Sequence, residues 1–147
     1  MATNETVLTI DIDASPGRVF ATLADLDGYP SWLPRTRTSA GGAAIAKGTA
    51  YTDASLIGTA QGTVREYEPD RLLVFEQAAA PRRSGGSRLA IVIRYELTPI
   101  DGGTRVVRTG AVTARGLIGI VRPLAAAAIG SENRRTLRVL KEHLEQR

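Results

Sequence analysis

The chain has 147 residues, 43% hydrophobic and 23% charged, which suits one globular domain around one core and excludes an intrinsically disordered segment. It has no cysteine, so disulfides, thiolate nucleophiles and cysteine metal sites are excluded, and a cytoplasmic location is expected. The formal net charge is +4, but the arginines are spread along the chain and aromatic residues are few, which argues against a nucleic-acid partner.

In chain order, residues 1–6 are short and polar and carry no signal-peptide pattern. Val7 to Ile12 alternates: Leu8, Ile10 and Ile12 point one way, and Thr9, Asp11 and Asp13 the other. That predicts a strand with one buried face. Ser15-Pro16 supplies a helix N-cap followed by proline at the first helical position. Val19, Phe20 and Leu23 follow at helical spacing, so a helix is predicted from Pro16 to about Ala24. Asp27 can cap a second short helix carrying Tyr29, Trp32 and Leu33, ended by Pro34.

From Arg35 to about Thr113 short alternating runs are separated by Gly, Pro and Asp. Strands are predicted near 35–40, 48–57, 60–68, 71–79, 87–98 and 104–114. Glu68-Pro69-Asp70 and Asp101-Gly102-Gly103 are the clearest turns. Arg82, Arg83 and Arg88 stand in a Gly/Ser loop and read as a solvated hairpin tip. One-sided patterning throughout predicts an antiparallel sheet with one wet face. The chain from Ala114 onward is predicted helical, with a stripe of Leu117, Ile120, Val121 and Leu124. Pro123 breaks its phase. After the break Ala125, Ala126, Ile129, Leu137, Leu140 and Leu144 form a new stripe over about 23 residues, or roughly 34 Å. The apolar stretch 116–130 is interrupted by Arg122 and Pro123, so no integral membrane segment is expected.

A sheet with one apolar face and a long helix with one apolar stripe must cover each other. The predicted fold is α+β: a curved antiparallel sheet of about seven strands around one long C-terminal helix, in a single domain. The order and the local phrases resemble the START-related (SRPBCC, helix-grip) superfamily, in particular its bacterial polyketide cyclase/dehydrase and lipid-transport branch. The phrases are Ile12-Asp13-Ala14-Ser15-Pro16 with Val19-Phe20, and Leu26-Asp27-Gly28-Tyr29-Pro30-Ser31-Trp32-Leu33-Pro34. Further on come Val64-Arg65-Glu66-Tyr67-Glu68-Pro69 with Arg71-Leu72-Leu73-Val74-Phe75, and Gly102-Gly103-Thr104-Arg105-Val106. The Tyr29 to Pro34 phrase is also similar to coenzyme-Q-binding relatives. The resemblance implies a cavity between sheet and helix. It implies an apolar small-molecule ligand such as a lipid, polyketide or isoprenoid, and alternatively cyclase or dehydratase chemistry in the same place.

Polar residues on apolar faces are the candidate site residues, because a buried polar group without a partner costs about 1–3 kcal/mol. Asn133 and Thr136 fall inside the helix stripe, where they either orient a ligand oxygen or bond to the sheet. Tyr95 shares a face with Ile91 and Ile93; its phenol either meets a ligand or reaches solvent at the rim. If Val106 is inward, Arg108 and Gly110 are inward too. An inward Arg108 would hold a carboxylate or enolate oxygen, or pair with an acid such as Glu76; a register shift of one residue puts it in water. Trp32 either packs at the corner of the two short helices or stacks on a ligand. Ile91, Ile93 and Ile129 would line the apolar part. For the enzyme alternative, Arg108, Tyr95 and Asn133 would act with Asp53 or Glu76 as base. His143 is expected at the surface. No metal-ligand cluster, phosphate loop or cofactor motif is found, and no feature specifies an oligomeric state.

Overall fold

The computed structural model describes residues 2–33, 37–42, 44–55, 58–79, 88–115 and 122–146. Strand β1 (Ala2–Ile12) leads to helix α1 (Pro16–Ala24), a 3-10 turn (Leu26–Gly28) and a one-turn helix α2 (Tyr29–Trp32). Six strands follow: β2 (Arg37–Ser39), β3 (Ala50–Ser55), β4 (Gly58–Glu68), β5 (Leu72–Ala79), β6 (Arg88–Ile100) and β7 (Gly103–Arg115). Helix α3 (Arg122–Glu145) ends the order. The strands form one sheet in the order β1-β7-β6-β5-β4-β3-β2, every neighbouring pair antiparallel.

The local signals act as expected at α1. Ser15 Oγ accepts from the Arg18 N–H at 3.2 Å, and Pro16 opens the helix. Both turns are built as their residues allow: Asp70 adopts φ 64° and Gly102 φ 79°, the left-handed region that Asp tolerates and Gly favours. A bulge between Val64 and Glu66 on β4 adds local twist, which bends a strand and helps a sheet to curl.

Alternation sets the two faces. Ile12, Val64, Leu73, Phe75, Tyr95, Leu97 and Val106 are buried together on the concave face. Leu137, Leu140 and Leu144 of α3 join the same core, as do Val19, Phe20 and Leu23 of α1. The opposite face is wet and carries ion pairs such as Arg65–Glu76 at 3.1 Å and Arg105–Asp11 at 2.9 Å.

The end of α3 is tied to the end of β1. Lys141 Nζ donates to the Asp11 carbonyl at 2.7 Å, and the Asp13 N–H donates to Glu145 Oε2 at 2.9 Å. Thr104 Oγ1, fully buried, donates to the Ala14 carbonyl at 2.7 Å and anchors the β1–α1 corner to β7.

Two expectations need correction. β1 begins at Ala2, not Val7, and β7 continues one residue past the predicted strand end at 114, through Arg115, into the segment predicted helical. Both follow from backbone pairing: Ala2 to Thr6 pair with Ala114 to Gly110, and Arg115 pairs with Arg88 of β6. A ladder is made by backbone groups, so polar side chains at residues 3–6 hide it from a hydrophobic pattern. The stripe Leu117–Ile120–Val121, the loop arginines Arg82 and Arg83, and the strand ends at 35–36, 56–57 and 87 lie outside the described residues. The side chains of Leu124 to Ile129 do also, although their backbone is helical.

The grip of helix on sheet makes a direct prediction. Leu140 is fully buried and Arg138 exposed. Leu140→Ala should cost about 2–5 kcal/mol by denaturant unfolding, whereas Arg138→Ala should change stability by less than about 0.5 kcal/mol.

Candidate functional site

Period-two alternation on β7 turns Thr104, Val106, Arg108, Gly110 and Val112 inward, and all five are buried. Arg108 therefore lies in the interior, 7% exposed. Its Nε and Nη2 donate to Asn133 Oδ1 of α3 at 3.0 and 2.7 Å, and its Nη1 donates to Tyr95 Oη of β6. Tyr95 is opposite Arg108 in the β6–β7 register, so the strand pairing itself delivers the contact. Gly110 makes room for the helix residue: a Cβ there would stand 2.9 Å from Asn133 Nδ2. Among the described residues no carboxylate touches Arg108. A buried cation has only neutral acceptors, which leaves its charge uncompensated by direct contact.

The far side of the concave face carries the opposite charge. Asp53 on β3 is partly buried, with Thr38 Oγ1 donating to its Oδ1 at 3.1 Å and Gln77 Nε2 to its Oδ2 at 3.4 Å. Burial pushes its carboxyl above the ordinary value of 3.8, opposed by the hydrogen bonds from Thr38 and Gln77 and by the charge of Arg108. Arg108 and Asp53 are four strands apart, about 19 Å on a flat sheet. That Arg108 acts on the Asp53 carboxyl at all is in keeping with a curled sheet.

An aromatic row joins the two ends. Tyr95 meets Phe75 edge-on at 6.4 Å, and Phe75 meets Tyr51 edge-on at 5.5 Å. Tyr51 lies opposite Gly62, and a side chain at Gly62 would collide with its ring. Tyr51 is 4% exposed, and its Oη has no hydrogen-bond partner among the described residues. The Gln77 side chain lies close enough to favour the ionised phenol, but not in hydrogen-bond geometry with it, and its Nε2 donates to Asp53. Burial raises the Tyr51 phenol well above its usual range, with Gln77 opposing. Leaving such a hydroxyl unpaired costs about 1–3 kcal/mol.

The sequence-predicted residues sort as follows. Arg108, Tyr95 and Asn133 come together as one hydrogen-bonded unit. Thr136 is buried on the same helix and Asp53 faces inward. Ile93 is partly buried against the core, and Ile91 shares its face. Trp32 is buried at the corner, 5.0 Å from the Tyr29 ring and stacked 6.1 Å from His143, itself exposed. The Ile129 side chain is outside the described residues. Glu76 is the correction. It sits between inward Phe75 and Gln77, so it points to the wet face, where it pairs with Arg65. It can neither partner Arg108 nor serve as an interior base. Tyr51 was missed, although period two places it on the same face as Asp53.

Buried core, curled antiparallel sheet and one long covering helix define the helix-grip class. The chain belongs to the family described as polyketide cyclase/dehydrase and lipid transport, which matches it over residues 4–145. No curated protein matches it in sequence. Among solved structures it is similar to the Zhui aromatase/cyclase from Streptomyces sp. R1128, with a TM-score of 0.76, 15% identity, and 98% of this chain and 94% of that one covered. It is also similar to a START superfamily protein from Mycobacterium smegmatis, with a TM-score of 0.71, 14% identity and 97% of each chain covered. The di-domain aromatase/cyclase BexL of the BE-7585A pathway has a TM-score of 0.78 at 17% identity, covering 99% of this chain and 51% of that one. Among the described residues no helix is long and apolar enough to cross a membrane, and no group of acidic residues and histidine is arranged to hold a metal.

The raised carboxyl predicts a pH signature. The folded chain holds the Asp53 proton more tightly than the unfolded chain. Below both values the group is protonated in each state and contributes nothing. As pH rises past 3.8 and through the folded value, its ionisation costs stability. Asp53→Asn removes that slope. The melting temperature of the variant relative to wild type should therefore rise between acid and neutral pH, as followed by circular dichroism.

Proposed function

We propose that this protein binds an apolar small molecule, of lipid, polyketide or isoprenoid type, between the concave face of the sheet and α3. The observation that carries this reading is Arg108, a guanidinium buried on an apolar face and met, among the described residues, only by the neutral oxygens of Asn133 and Tyr95. A purely structural core would do better without it, because well-packed apolar residues match or exceed the stability of a buried charge. A charge kept there is suited to a ligand oxygen bearing negative character. Asn133 and Tyr95 fix the plane of the fork, leaving its remaining N–H groups for a carbonyl, carboxylate or enolate. Ile91 and Ile93 would line the apolar body beside it, with Ile129, Thr136 and Trp32 as further candidates. Family membership, together with similarity to an aromatase/cyclase and a START superfamily protein, supports an apolar ligand of this kind.

A second reading, a cyclase or dehydratase, is favoured by one observation: a carboxyl with raised proton affinity, Asp53, stands across the interior from a buried cation. In that reading Asp53 accepts a proton from an acidic C–H. Arg108, with Tyr95, then stabilises the enolate oxygen.

Native mass spectrometry of the purified protein should show a bound apolar molecule, or displacement of a neutral solvatochromic dye should be stoichiometric. Absence of both would remove the binding reading. Arg108→Met should weaken binding of an oxygen-bearing ligand about tenfold or more, as expected for a lost charge-assisted hydrogen bond, and should lower the melting temperature only modestly, because Asn133 and Tyr95 lose their partner while the buried charge is removed. A clear loss of stability with unaltered binding would make Arg108 a structural residue. The enzyme reading requires turnover of a poly-β-keto substrate that Asp53→Asn abolishes.

A further inference from the structure

The Arg108 end of the interior has its hydrogen-bonding protein partners in place; the β3 end does not. Tyr51 Oη is a buried donor with nothing to donate to among the described residues. Its ring is held rather than free, wedged over Gly62 and edge-on to Phe75. Asp53, two residues along on the same face, accepts from Thr38 and Gln77, and a carboxylate retains further acceptor capacity after two such bonds. A phenol donor seeking an acceptor and a carboxylate able to accept more thus stand side by side.

We propose that Tyr51 and Asp53 form a second polar subsite that takes the hydroxyl group of an apolar alcohol or phenol. A hydroxyl is the small group that both accepts, here from Tyr51 Oη, and donates, here to Asp53. The negative charge of Asp53 disfavours an anionic group at this end, while Arg108 favours one at the other. The ligand therefore lies with its hydroxyl toward β3 and its carbonyl or oxyanion end toward β7. This assignment rests on the binding reading above.

The test uses three probes of one shape, naphthalene, 2-methoxynaphthalene and 2-naphthol, displacing a neutral solvatochromic dye. In the wild type the affinity order should be naphthol, then the methyl ether, then the hydrocarbon. Each hydrogen bond should add about three- to tenfold. Tyr51→Phe should make the ether bind like naphthalene, and Asp53→Leu, which removes the acceptor, should make naphthol bind like the ether. Tyr51→Phe should also melt at the same temperature as wild type or higher, since it removes only an unpaired hydroxyl. Equal binding of all three probes, survival of the full preference in Tyr51→Phe, or a lowered melting temperature for that variant would overturn the subsite while leaving the pocket intact. Failure of every probe to bind would remove the pocket reading itself, and the subsite with it.

Discussion

One antiparallel sheet has two faces, and this chain supplies a single long helix to bury one of them. Everything inside follows from that constraint. The concave face must be closed by α3, and the closing residues on the helix are not all apolar. Asn133 comes down onto β7 where Gly110 leaves space and Arg108 presents its fork. The helix is thus held at two places by different means: hydrogen bonds to a buried guanidinium in its middle, and Lys141 and Glu145 against the end of β1. Leu137, Leu140 and Leu144 supply the non-directional part of the attraction between and around these points.

Curling has an electrostatic consequence. Residues distant along the sheet become neighbours across its interior, so Arg108 on β7 and Asp53 on β3 act on each other through a medium less screening than water. The interior is therefore not a uniform apolar lining. It has a positive end with neutral partners, an aromatic middle made by Tyr95, Phe75 and Tyr51, and a negative end near the sheet's edge. Under the binding reading proposed above, such an interior would distinguish the two ends of a ligand, a property that either a carrier or an acid–base enzyme can use.

The burial of two polar groups in one small interior has opposite meanings for stability. The Arg108 unit is hydrogen-bonded to both Asn133 and Tyr95, so it orders the helix against the sheet even if its charge is costly. Tyr51 is not satisfied among the described residues. Its ring contributes packing against Phe75 and Gly62, while its hydroxyl opposes folding. Stability alone would favour phenylalanine there.

Much of the fold was legible because side-chain alternation is a local property. Leu8–Ile10–Ile12 and Ile91–Ile93–Tyr95 announce their faces in the sequence, and Ser15-Pro16 announces α1. Where hydrophobic pattern and backbone pairing part company, the sequence misleads: residues 2–6 are strand because they pair with 110–114, and Arg115 because it pairs with Arg88, not because of their side chains. Facing was legible for Arg108 only conditionally, since it depended on Val106 being inward. Phase alone could have rejected Glu76, which alternates with Phe75 and Gln77, and could have found Tyr51 from Asp53. By itself, then, the sequence determined the elements, their order and the apolar face of each, since these depend on residues a few positions apart. The tertiary structure alone decided that Arg108, Tyr95 and Asn133 meet and that, among the described residues, Arg108 lacks an acid in contact and Tyr51 lacks a partner. Those facts depend on strand register, the curl of the sheet and the seating of α3, which join residues tens of positions apart.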